Sequence, residues 1–384
     1  MKKNIGILIY GIEDVSGGGG SERFWADFFE KYKNYSARNF EVFFFCDEPS
    51  FLKLKFINRL SDKYHVVFLK NYNNRFKHGL EFFDFYFKLL RNRIKLIHVA
   101  EYTTVYFHRL KKLSSLPKSI RPRISTTVVN CIIPYKYMVD ASFRKPIDQI
   151  LTQIKFDGIL SWYQLLKNFI IERGFSYKMP IIHAASYCFA DTSKFKPATR
   201  KENNIVFAAR LGANKNPLLF VEAITILHSK VPEKIKEWNF YIYGKGELEV
   251  LVKRKINEYG LSELVKMAYE SHMAEVFSKS KCFVSTQDYE NFTSLSMLEA
   301  MACGNVIVSR NVGQTNYFAR SNVNAFLAEE DTANGIANAL LKFINNPELH
   351  DSMMRESIKI ATLEHTKENF FHETETYWKE ILLN

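Results

Sequence analysis

Two glutamates accompany an apolar helical pattern in residues 290–304, ENFTSLSMLEAMACG. On a helix, Ser296 and Glu299 share one face because they are three residues apart, whereas Leu295, Leu298 and Ala302 share another. A carboxylate in so apolar a helix needs a polar partner, since an unpaired charge out of water costs several kcal/mol. Glu299 is therefore expected either to accept the two hydroxyls of a ribose, with Glu290 facing a sugar, or to pair with a buried arginine.

Two cations follow a strand-like run in residues 207–217, FAARLGANKNP. Arg210 and Lys215 lie between the strand and a helix, at the mouth of a sheet. Two such cations suit a diphosphate, which needs neutralising and offers many hydrogen-bond acceptors. Taken in isolation, the pattern is more typical of surface charges that flank a helix.

Two glycine-rich turns also join a strand to a helix, in residues 16–32 (SGGGGSERFWADFFEKY) and residues 241–251 (YIYGKGELEVL). Glycines let backbone N–H groups approach a phosphate or sugar closely, and a helix N-terminus adds partial positive charge. The first turn lacks the GxGxxG spacing of dinucleotide sites, which argues against a nicotinamide cofactor. Without a ligand, the first motif is a flexible turn and the second a tight βα turn.

Apolar runs of strand character alternate with amphipathic segments along the whole chain, seven of them before residue 190 and five after residue 203. This alternation predicts α/β architecture with parallel sheets, and 384 residues are too many for one hydrophobic core. Residues 191–203 are polar and aperiodic, as in a linker. We therefore expect two doubly wound domains, residues 1–190 and 204–365, with a ligand cleft between the carboxyl ends of their sheets.

The net charge of +12 is unevenly distributed. Residues 1–190 contain 30 Lys and Arg against 16 Asp and Glu, whereas residues 191–384 contain 23 against 25. The asymmetry suggests an anionic partner for the first half, such as a membrane surface, a phosphorylated acceptor or nucleic acid, or else an ordinary basic surface. Nucleic acid is disfavoured because neither a basic motif interleaved with aromatic residues nor zinc-ligand spacing is found.

The cysteine and hydropathy patterns predict a cytoplasmic protein. The five cysteines are scattered and contain no CxxC pair, as expected for buried thiols in a reducing compartment. The opening residues, MKKNIGILIYGIEDVSGGGG, fit a first buried strand better than a signal peptide. No run approaches the roughly 18 to 20 apolar residues that a membrane span needs.

Four motifs resemble those of glycosyltransferase family 4 in their residues and in the distances between them along the chain. They are the amino-terminal GGGGSER, then FAARLGANKN, YGKGEL and ENFTSLSMLEAMACGNVIVSRNVGQ. The resemblance implies the GT-B fold, in which two Rossmann-like domains face each other across a cleft. It also implies a retaining transfer of a sugar from a nucleoside-diphosphate sugar to an acceptor hydroxyl. In this fold the last helix commonly crosses back to the first domain, so we expect residues 366–384 to do so.

The resemblance implies roles for individual residues. Arg210 and Lys215 match the cations that hold the donor diphosphate. Glu299 matches the glutamate that binds the ribose hydroxyls, and Glu290 most resembles the glutamate that lies against the donor sugar. The residues expected to act in catalysis are Glu290, Arg210, Lys215 and Asn130. Those expected to bind the donor are Glu299, Gly17, Gly18, Gly19, Gly20, Phe292, Thr293, Ser294 and Gly244.

The sequence departs from the family pattern in the spacing of the glutamates, at Asn130, and at Ala209 and Asn216, where the family usually has glycine. Eight residues separate the glutamates instead of seven, so strict spacing would put Asn291 rather than Glu290 against the sugar. Asn130 stands where many relatives have a histidine near the reacting sugar. His98, at the end of another strand, is a possible substitute or else a core histidine.

No DxD motif is present, so we expect a metal-independent reaction without a cofactor, in which cations and helix N-termini neutralise the leaving diphosphate. The expected donor is a UDP-sugar, or alternatively a GDP-sugar. The expected acceptor is a glycan or a lipid-linked glycan, with peripheral contact of the basic domain at the cytosolic membrane face. The competing hypothesis is a non-catalytic relative that binds a nucleotide sugar as a regulator or scaffold.

Overall fold

The computed structural model describes residues 2–9, 20–56, 60–70, 78–100, 106–128, 137–138, 141–161, 164–174, 182–184, 189–270, 272–291 and 294–384. The chain forms two compact units. The first comprises Met1–Ser186 together with Phe371–Asn384, and the second comprises Tyr187–Phe370. Within the described ranges, no helix is both long enough and apolar enough to cross a membrane.

The first unit is built on a seven-stranded sheet whose pairings are all parallel. Its strands are β1 (Lys3–Leu8), β2 (Phe40–Cys46), β3 (Val66–Phe68), β4 (Ile94–Val99), β5 (Arg123–Val128), β6 (Gly158–Ser161) and β7 (Ile182–Ala184). They lie in the order β3-β2-β1-β4-β5-β6-β7. The chain therefore runs outward from β1 to β3 and returns to the other side of β1, which makes the sheet doubly wound.

Helices cover both faces of this sheet. They are α1 (Gly20–Lys33), α2 (Glu48–Phe56), α3 (His78–Arg91), α4 (Phe107–Ser115), α5 (Ala141–Gln153) and α6 (Gln164–Glu172). Phe44 of β2 packs on Phe29 of α1, with ring centroids 5.0 Å apart. The next residue, Phe45, packs on Phe85 of α3 at 6.4 Å. Since successive strand residues point to opposite faces, α1 and α3 lie on opposite sides of the sheet.

The second unit contains a six-stranded parallel sheet. Its strands are β8 (Glu202–Ala208), β9 (Asn239–Tyr243), β10 (Val265–Ala268), β11 (Ser280–Ser285), β12 (Val306–Arg310) and β13 (Ala325–Ala328). They lie in the order β10-β9-β8-β11-β12-β13. The strand patterns in the sequence predicted five of these six and missed β13.

The helices of the second unit pack an apolar core against both faces of its sheet. They are α7 (Pro217–Lys230), α8 (Pro232–Ile235), α9 (Glu249–Glu258), α10 (Met273–Lys279), α11 (Leu295–Ala302), α12 (Ala333–Asn345) and α13 (His350–Lys359). Pro217 begins α7, where its missing N–H costs nothing. Thr332 caps α12 by accepting a hydrogen bond from the Gly335 N–H at 3.1 Å.

A final helix, α14 (Lys367–Leu383), completes the core of the first unit. Its Tyr377 and Trp378 are fully buried. Glu375 accepts hydrogen bonds from the Tyr32 hydroxyl of α1 and, at 2.8 Å, from the Asn39 N–H. Burial and the neighbouring Glu375 carboxylate both raise the pKa of Tyr32, so the phenol stays protonated as a donor.

Candidate functional site

Three of the sequence-predicted residues lie past the carboxyl ends of strands in the second sheet. Arg210 follows β8, Gly244 follows β9 and Glu290 follows β11. Strands β8 and β11 are neighbours, although the chain passes through β9 and β10 between them. The strand order thus reverses between β8 and β11, and in open α/β sheets ligands bind in the crevice at such a switch point.

Lys215 lies directly at this switch point. It ends a short 3₁₀ turn after β8, and the next residue, Asn216, has a left-handed backbone with φ of 49°. The half-buried Lys215 ammonium donates a hydrogen bond to the Gln287 side-chain oxygen in the loop after β11. The Thr286 hydroxyl bonds the carbonyl oxygens of Lys215 at 3.0 Å and Asn216 at 2.7 Å. These contacts join the two loops on either side of the switch point.

Arg210 presents an exposed guanidinium beside the same loop. Its charge acts on Glu247, which accepts a hydrogen bond from the Ala213 N–H at 3.3 Å. Backbone hydrogen bonds, and then the charge of Arg210, lower the pKa of Glu247. A cation that is exposed at a strand end is available to an anionic ligand.

Gly244 and Gly246 allow the turn after β9 to pack closely against the chain after β8. Gly244 has a φ of 144°, and a Cβ at this position would lie 1.9 Å from the Ala209 carbonyl oxygen. A Cβ on Gly246 would lie 2.4 Å from the Leu211 carbonyl oxygen. Backbone packing by itself therefore accounts for both glycines, and the expected donor contact of Gly244 stays a prediction.

Asn291 is a buried structural amide. Its side-chain oxygen accepts a hydrogen bond from the Ser285 hydroxyl at 2.6 Å. Its side-chain NH₂ donates to the hydroxyls of Ser309 at 2.8 Å and Thr315 at 3.1 Å, and to the Arg310 carbonyl oxygen at 3.3 Å. The amide thus fastens the loop after β11 to the end of β12, and these bonds use its donors and its acceptor.

Glu290 is also buried, with 2% of its surface exposed. One carboxylate oxygen accepts a hydrogen bond from the Gln314 N–H at 2.8 Å, in the loop after β12. The other oxygen lies so close to Gly313, whose φ is +53°, that a Cβ there would be 2.4 Å away. The loop after β12 therefore holds the Glu290 carboxylate in this structure.

Glu299 occupies the less buried side of α11. Glu299 and Ser296 are half-buried, whereas Met297, Leu298 and Met301 form the fully packed side. The spacing thus predicted the positions of Ser296, Glu299, Leu298 and Ala302, whereas Leu295, expected on the packed face, is only half-buried. Ser294 stands at the N-cap position, and its backbone N–H bonds the Asn291 carbonyl oxygen at 2.9 Å. Asn291 thus supports the start of the helix that carries Glu299.

Arg310 is a buried support that sequence reasoning missed. At the end of β12, it donates hydrogen bonds to Asp288 and Asp331 and, at 3.3 Å, to the Thr286 carbonyl oxygen. Burial lowers the pKa of Arg310, but the hydrogen bonds and charges of the two aspartates outweigh it and raise the pKa overall. The guanidinium fixes the loop that also contacts Lys215. Its partners are 22 and 21 residues away, so no local pattern indicated it.

His98 is a core histidine, so the suggestion that it replaces a catalytic histidine is wrong. It is fully buried in β4, with Nδ1 2.8 Å from the Ser125 hydroxyl and Nε2 2.7 Å from the Thr127 hydroxyl. Burial lowers the pKa of His98 to about 3, so the ring is neutral at neutral pH. Both ring nitrogens have protein partners and the ring does not reach solvent.

Several expected site residues lie outside the described residues: Gly17, Gly18, Gly19, Asn130, Phe292 and Thr293. Gly20 is the first residue of α1. In the part of the chain that is described, no group of three or more His, Cys, Asp or Glu side chains is arranged to bind a metal ion. The described part of the candidate site therefore consists of two cations, a half-buried carboxylate and the loops that hold them.

The segment that carries this geometry matches a known family. Residues 189–360 match the family model described as "Glycosyl transferases group 1". Over 150 residues the chain is 24% identical to the UDP-N-acetylglucosamine–peptide N-acetylglucosaminyltransferase GtfA subunit of Streptococcus gordonii, a match that covers 38% of this chain and 29% of the relative.

A second curated relative, from Campylobacter jejuni, is 35% identical over 89 residues, which is 21% of this chain and 24% of the relative. Its name is GalNAc-α-(1→4)-GalNAc-α-(1→3)-diNAcBac-PP-undecaprenol α-1,4-N-acetyl-D-galactosaminyltransferase. The matched stretches thus span less than a third of either curated relative.

The fold also matches solved structures. The crystal structure of Anabaena HepE in complex with UDP and glucose superimposes with a TM-score of 0.74 at 13% identity, covering 98% of this chain and 99% of that one. At this identity the likeness shows the fold alone. It confirms the predicted GT-B fold class with two Rossmann-like units, whereas the predicted cleft between them stays a prediction.

Proposed function

We propose that this chain is a retaining glycosyltransferase of family 4. It transfers a hexosyl or N-acetylhexosaminyl group from a nucleoside-diphosphate sugar to an acceptor hydroxyl. The observation that supports this most is the position of Arg210 and Lys215 at the switch point of a sheet, in a segment that matches the glycosyl transferases group 1 model. The donor is a UDP-sugar in preference to a GDP-sugar, because the similar HepE structure contains UDP.

In this proposal, Arg210 and Lys215 bind the donor diphosphate. The Gln287 amide oxygen that holds the Lys215 ammonium is a neutral acceptor, and a phosphate oxygen makes a stronger, charge-assisted bond with the same ammonium. As the bond to the sugar breaks, negative charge grows on the diphosphate. Fixed cations at this position stabilise that charge without a metal ion or a cofactor.

Glu299 binds the ribose, and Glu290 is the carboxylate that contacts the donor sugar. Asn291 is an unsuitable alternative because four hydrogen bonds already occupy its buried amide. For Glu290 to contact a sugar, the loop around Gly313 must move, since that loop now covers the carboxylate. The backbone of Phe292, Thr293 and Ser294 and the four glycines of residues 17–20 would complete the donor site, with Asn130 near the reacting sugar.

Retention of configuration would follow from attack of the acceptor hydroxyl on the face of the departing diphosphate, whose oxygen takes the acceptor proton. The bond that breaks joins the sugar to the diphosphate, and the bond that forms joins it to the acceptor oxygen. Exclusion of water by the site would suppress hydrolysis of the donor.

We further propose that the acceptor is a glycan or a lipid-linked glycan and that the protein works in the cytoplasm, at the cytosolic membrane face. The name of the Campylobacter relative includes an undecaprenol-linked acceptor, and the excess of Lys and Arg in residues 1–190 favours an anionic surface. The first unit would bind the acceptor, and the second the donor. The predicted linker, residues 191–203, belongs to the second unit, and its last two residues are in β8.

A non-catalytic nucleotide-sugar binder is the alternative, favoured by the buried position of Glu290 and by the extra residue between the two glutamates. Incubation with a panel of UDP- and GDP-sugars tests the two functions. If the chain is an enzyme, one donor should raise its melting temperature. The nucleoside diphosphate should then be released from that donor, slowly without acceptor and faster with a glycan acceptor. A binder gives the thermal shift with no release, and the absence of both effects would contradict either function.

A further inference from the structure

An apolar stripe runs along the solvent side of helix α3 (HGLEFFDFYFKLLR). Leu80, Phe83, Phe87 and Leu90 recur at spacings of three and four residues, which places them on one helical face. Each is between 52% and 67% exposed, whereas Phe85 and Leu89 of the same helix are fully buried. Monomeric soluble proteins rarely expose contiguous apolar side chains in this way, so the stripe indicates an interaction surface.

The stripe is bordered by cations. Arg91 at the end of α3, Arg93 in the turn that follows and Lys95 at the start of β4 are exposed. Lys112 of α4 is exposed alongside it, with its ammonium 5.9 Å from the Phe82 ring centroid. Residues 85–100 and 106–128 contain ten Lys and Arg and no Asp or Glu.

The two acids of α3 offset only two of these ten cations, Lys88 and Arg109. Glu81 is buried and pairs with Arg109 at 3.3 Å, and Asp84 pairs with Lys88 at 2.6 Å. The face therefore combines an apolar centre with a positive rim. That combination is typical of helices that lie in the plane of a membrane interface, with apolar side chains at acyl-chain depth and cations among anionic headgroups.

We propose that the stripe (Leu80, Phe83, Phe87 and Leu90), with its rim of Arg91, Arg93, Lys95 and Lys112, docks on the surface of an anionic lipid bilayer. The inference assigns the membrane contact of the proposed function to one helix of the first unit, and it rests on that part of the proposal and not on the transferase reaction. A second copy of the chain is the less suitable occupant, because a symmetric contact would bring two positive rims together. One helix face is also much smaller than the roughly 800 Å² per partner of a stable interface.

Co-sedimentation of the full chain with vesicles tests this proposal. Binding to phosphatidylcholine vesicles that contain phosphatidylglycerol should exceed binding to phosphatidylcholine alone by about tenfold or more, because each cation near the surface adds to the attraction. The double variant Phe83→Ser/Phe87→Ser should lose about tenfold or more of the vesicle binding through the lost apolar insertion. Arg91→Gln/Lys112→Gln should lose a similar factor and reduce the dependence on NaCl.

Phe56→Ser is the matched control. Phe56 is 79% exposed on α2, and α2 lies on the other face of the sheet from α3. Phe51 of α2 packs on Phe68, with ring centroids 5.4 Å apart, and Phe68 pairs in register with Cys46. Cys46 faces the same way as Phe44, which contacts α1 rather than α3. The Phe56 variant should bind vesicles like the unaltered protein.

Circular dichroism and melting curves establish that each variant is folded, and Leu80→Ser/Leu90→Ser provides a second test of the stripe. The proposal is overturned if neither stripe variant weakens vesicle binding, or if Phe56→Ser weakens it equally. Binding that depends on the cations but not on the stripe would show a general polyanion surface instead. Self-association that the stripe variants abolish, without vesicle binding, would show that the occupant is a second copy.

Discussion

Buried polar groups serve different ends in the two units. In the first sheet, His98 and the hydroxyls of Ser125 and Thr127 satisfy one another inside the core, and none reaches solvent. In the second unit, Asn291 and Arg310 are also buried, but they fix loops that hold Lys215 and the start of α11. A buried polar residue in a sheet is therefore informative about function only through what it holds in place beyond the strand end.

The largest effect should come from the half-exposed residues that these supports hold. We expect Lys215→Ala and Glu299→Ala each to lower turnover of the nucleotide-sugar donor about a hundredfold or more, because each removes a contact to the donor. The melting temperature should stay close to that of the unaltered protein. Lys236→Ala and Glu233→Ala, which remove an exposed ion pair in the same unit, are the matched controls. Near-normal turnover in both site variants would contradict the assignment of Lys215 and Glu299 to the donor site.

Substitutions of the neighbours Glu290 and Asn291 distinguish a structural role from a chemical role within one loop. Asn291→Ala should lower the free energy of unfolding by about 3 kcal/mol, because it leaves buried hydroxyls of Ser285, Ser309 and Thr315 without their partner. Glu290→Gln keeps the shape and an acceptor for the Gln314 N–H, so it should lower turnover with little change in stability. Urea unfolding and donor turnover measure the two quantities. The reverse pattern would assign the chemical role to Asn291.

Arg310→Met should give an intermediate effect. It leaves Asp288 and Asp331 without their shared cation, but both aspartates keep some contact with water, so we expect a loss of about 2 kcal/mol. Turnover should fall along with stability, because the loop that contacts Lys215 loses its support. Arg320→Met, which removes a more exposed ion pair with Glu364, should cost less. Equal losses in the two variants would contradict a special role for Arg310.

The smallest effect is a pH dependence that originates in His98. Its pKa of about 3 in the folded protein lies below the ordinary value of 6.5, so between these values the unfolded chain binds the extra proton. Stability therefore falls as the pH drops below about 6.5, and His98 contributes about 1 to 2 kcal/mol of loss between pH 7 and pH 5. In His98→Gln, the difference in unfolding free energy between these pH values should shrink by that amount. An unchanged difference would mean that His98 binds a proton as readily in the folded protein as in the unfolded chain between pH 7 and pH 5.

The sequence predicted the fold class and the edge of the sheet that carries the candidate site, because both depend on local patterns. Strand ends fixed the positions of Arg210 and Glu290, and three-residue spacing assigned Glu299 to the less buried face of α11. It missed β13, whose four residues, AFLA, are too few to show periodicity.

Other features depend on contacts that no local pattern encodes. Arg310 finds its partners across loops, and only the hydrogen bonds of Asn291 distinguish it from Glu290 as a candidate. The sequence pattern did not indicate the stripe on α3, because the helix has apolar residues on nearly every side. Tertiary packing alone decides which of those sides faces water.

The position of α14 has a consequence for synthesis of the chain. Residues 187–370 form a continuous unit, whereas the first unit needs residues 371–384, including the buried Tyr377 and Trp378. During translation, the aromatic surface around Trp25 and His98 therefore stays without its α14 partners until the later half has been made. The unit whose synthesis begins first is completed last.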